Sequence, residues 1–70
     1  MINNYSATMP TNVDLPDIIT TALAALPWTP QGIWTDSSGL LWVGSDTNTL
    51  TAPQLSTFQA AVAAAVVNPN

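Results

Sequence analysis

Two stretches of helical periodicity flank one stretch of hairpin chemistry in this chain. Leu15, Ile18 or Ile19, Ala22, Leu23 and Leu26 recur at the spacing of an amphipathic helix, and Leu55, Phe58, Val62 and Val66 do the same further on. Both helices carry start signals. In the first, Asp14 is the N-cap, Pro16 falls in the first turn, Asp17 takes a capping-box-like position, and Val13 can staple to Ile18. This helix should run to about Ala25 or Leu26, where Pro27 stops it and residues 28–32 form a stiff connector. In the second, Thr51 is the N-cap, Gln54 its box partner, and Leu50 staples to Leu55. Capping rules alone explain the shared syntax, so no internal repeat is inferred.

Between the helices, Asp36-Ser37-Ser38-Gly39 suits a type I turn followed by a residue at positive φ, where glycine is favoured. The register follows from the turn: Leu40 pairs with Asp36, Leu41 with Thr35, Trp42 with Trp34 and Val43 with Ile33. Trp34, Trp42 and Leu40 then share one face, and Ile33, Thr35, Leu41 and Val43 take the other. Both faces are apolar. A two-stranded ribbon is marginal in water, so the helices should cover one face and something further the second face or the free edges.

The expected fold class is therefore α+β, a small helix–β-hairpin–helix domain over residues 13–67 with an extended N-terminal arm (1–12) and a C-terminal tail (68–70). The arm shows no basic stretch followed by an apolar run, so it is not read as a signal peptide. Its Asn4-Tyr5-Ser6 acceptor pattern would then go unused. Order throughout the arm would mean that a neighbour holds it down.

Length and composition sharpen the question of what covers the second face. A 70-residue chain builds a core worth about 3–5 kcal/mol and usually needs a staple. Neither Cys nor His is present, which removes disulfides and the soft metal ligands. Ten of the apolar residues are Ala, which bury little area each. Oligomerisation is the remaining route to added stability, and the Ala-rich face of the second helix (Ala60, Ala61, Ala63, Ala64, Ala65) would let another backbone approach closely.

Charge excludes several function classes. The chain has four Asp and no Lys, Arg or His, for a net charge of −4. Nucleic-acid and lipid-phosphate binding both rely on cationic side chains and are not expected. The apolar run from Ala60 to Val67 is too short to span a bilayer. Asp46 and Asn48 have the spacing of a calcium loop, but Thr51 and Thr57 stand where that loop needs Gly and Glu, so no metal site is expected. Nucleophilic and paired-carboxylate catalysis lack a base and a second placed acid, so neither catalytic residues nor a cofactor is expected. Trp28, Trp34, Leu40, Trp42, Phe58, Val62 and Val66 remain as candidate interface residues, the tryptophans also as a possible sugar-stacking platform.

Two resemblances bear on function. Residues 33–44, Ile-Trp-Thr-Asp-Ser-Ser-Gly-Leu-Leu-Trp-Val-Gly, look like one strand-turn-strand element of the β-propeller repeats of hybrid two-component sensors. A single copy cannot close a propeller, so this implies the hairpin alone. The layout over about residues 14–67, with Leu41-Trp42-Val43 as a Trp-bearing strand and Thr51-Ala52-Pro53-Gln54-Leu55 as a Pro-started helix, resembles small structural proteins encoded near the tail genes of tailed phages. That resemblance implies a non-enzymatic virion component made in the host cytoplasm, in contact with copies of itself or a neighbouring virion protein. The alternatives are a glycan-binding module on Trp34 and Trp42, or a phage-encoded inhibitor of a host protein.

Overall fold

The structure, a computed structural model, describes residues 1–11 and 13–65. Five elements follow in order: β1 (Asn3–Thr8), α1 (Leu15–Ala25), β2 (Gly32–Thr35), β3 (Leu40–Ser45) and α2 (Ala52–Ala63). The α+β class holds, with one strand more than the hairpin supplies. β1 pairs antiparallel with β3 along its whole length, giving a three-stranded sheet in the order β1-β3-β2. The segment expected as an arm is thus extended, and it is held by its own chain rather than by a neighbour.

The hairpin forms in the expected register, with Trp34 opposite Trp42 and Ile33 opposite Val43. Gly39 sits at φ 81°, and Asp36 N–H donates to Leu40 O at 3.1 Å, closing the turn. Asp36 Oδ1 accepts from Ser38 N–H at 2.9 Å and from Leu40 N–H at 3.1 Å. This carboxylate therefore ties both limbs of the turn to one side chain.

Side-chain alternation along the central strand divides the sheet. Leu41, Val43 and Ser45 are buried on one face. With Ala7 from β1, Ile18 and Ala22 from α1, and Phe58 and Val62 from α2, Leu41 and Val43 make up the core. The helices contact each other, and α2 also contacts β1. Helix α1 uses Ile18 and Ala22 inward, while Leu15 and Leu23, expected on the same stripe, are 47% and 41% exposed. The expected stripe is wider than the contact: at about 100° per residue, Leu23 lies roughly 100° round the helix from Ala22. Asp14 is the N-cap residue but makes no side-chain capping hydrogen bond, whereas Thr51 and Gln54 form the complete box. Pro occupies the same early position in both helices, so proline does not account for the difference.

Side chains stitch the polar loop after β3 to the rest. Ser45 Oγ accepts from the backbone N–H of Thr47 and of Asn48 and donates to Gln31 Oε1. Asp46 N–H donates to the same Gln31 oxygen. Asp46 Oδ1, a carboxylate oxygen of the calcium-like spacing, instead accepts from Ile2 N–H, and the Asn48 backbone carbonyl accepts from Asn3 Nδ2. No buried side-chain polar atom among the described residues lacks a partner, which is what a buried serine requires.

Candidate functional site: the indole face of the sheet

The face of the sheet turned away from the helices carries Leu40, Trp42 and Gly44 from β3, Trp34 and Gly32 from β2, and Asn4, Ser6 and Thr8 from β1. Cross-strand pairing stacks Trp34 and Trp42, their planes 4° apart and ring centroids separated by 6.2 Å. Trp34 remains 38% exposed, and Trp42 and Leu40 are half-buried.

Two glycines make room for this arrangement. A Cβ on Gly44 would lie 3.1 Å from Trp34 Cη2, 3.1 Å from Met1 Sδ and 2.6 Å from Asn4 Oδ1. On Gly32 it would meet Met1 Cε and sit 3.4 Å from Trp34 Cζ3. The benzo edge of Trp34 and the Met1 thioether therefore occupy the space that side chains at 32 and 44 would fill. At the opposite end, Trp42 Nε1 donates to Asp36 Oδ2 at 2.8 Å. The surface is a strip: a carboxylate at the turn, two indoles, then a thioether over glycines.

No protein-family model, curated protein or solved structure matches this chain.

Asp36 is the electrostatic feature of the strip. Its hydrogen bonds, the one from Trp42 first, then those from Leu40 and Ser38, hold its carboxyl below the usual aspartate value against an opposing desolvation. A depressed folded pKa stabilises the fold above the unfolded value, and that contribution is lost as the pH falls through the folded one. The Trp42 indole N–H proton resonance should therefore hold constant through neutral and mildly acidic pH. It should move with a midpoint below the ordinary aspartate value of about 3.9. A midpoint at or above that value would mean the indole bond does not persist in solution.

The described candidate residues separate into three groups. Trp34, Trp42 and Leu40 share the open face, as their spacing predicts. Trp28 does not join them. Its Nε1 donates to Thr49 O at 3.0 Å, and its ring tilts 53° against Tyr5, 6.5 Å away. Tyr5 alternates with Ser6 and so belongs to the helix-side face. Phe58 and Val62 are also corrected: both are buried in the core of this chain, 0% exposed, because α2 turns its apolar stripe onto the sheet and α1. Val66 lies outside the described residues.

Several surface features carry residues that the sequence pattern does not mark as site residues. Leu15 and Leu23 line the flank of α1, with Ile19 half-buried between them. Met1 reaches the strip with no periodic signal to mark it. A groove of about 330 Å³ runs between β1 and α2, lined by Ser6, Ala7, Thr8, Leu40, Gln59 and Ala63. Gln59 Nε2 there donates to Ser6 O at 3.1 Å. Among the described residues, no group of three or more His, Cys, Asp or Glu could hold a metal ion, and no helix is long and apolar enough to cross a membrane. What the site offers chemically is π faces, apolar edges and one fixed carboxylate.

Proposed function

We propose that this chain is a non-enzymatic structural subunit of a larger protein assembly, a phage virion, and that it docks on protein neighbours. The supporting observation is that a core buried within the chain leaves two separate apolar surfaces outside it: the indole strip, and the Leu15 and Leu23 flank of α1. A subunit embedded in an assembly needs contacts that do not overlap, one for each neighbour. The virion is supported by the resemblance of residues 14–67 to small tail-encoded phage proteins. Copies of the chain meet along α1, and the indole strip is kept for a second kind of neighbour.

Light scattering across a dilution series from the low micromolar range tests this. The wild-type mass should exceed the single-chain 7.3 kDa. Leu23→Ser should return it to that value, and Trp34→Ser should leave the association intact. A wild-type chain that stays at the single-chain mass throughout would sink the reading. Sensitivity to Trp34→Ser in place of Leu23→Ser would move self-association to the indole strip and overturn the assignment of the two surfaces.

The parallel indoles, flanked on β1 by Asn4, Ser6 and Thr8, favour one further reading, a platform on which a sugar ring stacks. Tryptophan emission separates the two. Saturating amounts of cellohexaose, maltohexaose or chitohexaose should leave the spectrum of a structural subunit unchanged, whereas a saturable shift would identify a glycan-binding module.

A further inference from the structure

We propose that the neighbour received by the indole strip is a protein presenting an arginine, its guanidinium laid on Trp42 and Trp34 and its edge hydrogen-bonded to Asp36 Oδ2. This rests on the reading of that face as a docking surface, and it names the chemistry of the partner.

Three observations lead there. First, the Asp36 carboxylate has no counter-ion among the side chains of this protein, because the whole sequence lacks Lys, Arg and His. A second copy brings no cationic side chain either, so a cationic side chain must come from a different molecule.

Second, the carboxylate has capacity in the right place. Each carboxylate oxygen offers two acceptor sites. Both on Oδ1 are taken by Ser38 and Leu40 N–H, while Oδ2 takes the single Trp42 Nε1 bond at 2.8 Å. That bond also puts Oδ2 at the rim of the Trp42 indole. A planar cation tilted over the edge of the ring can therefore reach that oxygen with one N–H.

Third, the indoles are stacked within 4° of parallel, and the open face of the pair carries the negative quadrupole that attracts a cation. Guanidinium matches such a surface better than an ammonium does, being planar, weakly hydrated and able to stack while it donates at its edge. The apolar remainder of the strip, Leu40 on one side and Met1 beyond Trp34, suits aliphatic residues next to the arginine.

The test uses two end-blocked peptides without tryptophan, Gly-Leu-Arg-Leu-Gly and its twin carrying citrulline, the neutral isostere of arginine. Each is titrated into the full chain while indole emission is followed. The arginine peptide should give a saturable change about tenfold tighter than the citrulline peptide. The gap should narrow between about 20 mM and about 500 mM salt as the charge is screened. Trp34→Leu, which leaves Asp36 and its turn in place, should abolish the arginine preference. Equal binding of the two peptides would overturn the cation inference and leave the docking face standing. If neither peptide perturbs the indoles, the docking reading of this face falls as well. An arginine preference that persists in Trp34→Leu would reduce the effect to general attraction by an acidic chain and overturn the proposal.

Discussion

Phe58→Ala should leave this protein unfolded at 25 °C. Phe58 is the largest fully buried side chain, and it sits with Val62, Ile18, Ala22, Leu41 and Val43 where both helices meet the central strand. Truncating a buried phenylalanine costs about 3–5 kcal/mol, the lost transfer energy plus a cavity that neighbours fill only in part. A domain of this size holds about 3–5 kcal/mol in total, and no disulfide is present to soften the loss. Near-ultraviolet circular dichroism and a urea titration decide the matter. The variant should lack tertiary signal and show no cooperative transition, where the wild-type chain shows both. A cooperative transition weakened by less than about 1 kcal/mol would mean that the site collapses around the smaller side chain. Val62→Ala, a smaller deletion in the same cluster, should then fall between the two.

Removing residues 1–8 should be as damaging, although that segment contributes little to the hydrophobic count. β1 covers one whole edge of β3, seats Ala7 in the core, and supplies the Tyr5 hydroxyl that accepts from Leu50 N–H at 3.0 Å just before the α2 cap. Without it, one edge of the central strand presents its backbone groups to solvent and to other chains. The shortened chain should have lost most of the about 3–5 kcal/mol available and should aggregate, as seen by urea titration and by sedimentation. A truncated chain that keeps a cooperative transition within about 1 kcal/mol of the full one would show that these residues act as a dispensable arm.

The arm and the strand differ by a signal that is present in the sequence but small. Asn4-Tyr5-Ser6-Ala7-Thr8-Met9 alternates polar and apolar, the pattern of a half-buried strand. Its inward members are an amphipathic ring and a single methyl group, so the alternation lacks the bulk that marks Ile33–Thr35 or Leu40–Val43. What turns it into a strand is the vacant edge of β3, a tertiary fact that local pattern does not contain. The hairpin was legible for the opposite reason. Asp36, Gly39 and the two runs flanking them state the turn type, and the turn type states the register. Helix starts were legible where capping groups are explicit, more fully at Thr51 than at Asp14.

The candidate site was legible in part. Period-two counting from the turn places Trp34, Trp42 and Leu40 on one face without any structure. Trp28 went astray because it stands in a connector, where no period says which side of the sheet the chain will pass. Phe58 and Val62 stand among the candidate interface residues on their hydrophobicity, Phe58 being expected in the core of the chain as well, yet a helix buries its widest apolar stripe against its own core first. Gly32 and Gly44 read as punctuation in the sequence, and their role as seats for Trp34 and Met1 depends on strand pairing across the sheet.

Asp36 carries a consequence for uniqueness as well as for stability. The central strand is apolar on both faces, with Leu40 and Trp42 on one and Leu41 and Val43 on the other. Hydrophobicity alone therefore discriminates weakly between the native pairing and one slipped by a single residue, which would turn the indoles inward and the aliphatic pair outward. The turn breaks that tie. A slipped hairpin would take Gly39 from the turn position where it sits at φ 81° and would part Asp36 from the two backbone donors and the indole it holds. Much of the information that selects one fold over its mirror assignment of faces thus resides in an exposed carboxylate and a glycine, away from the core that supplies the energy.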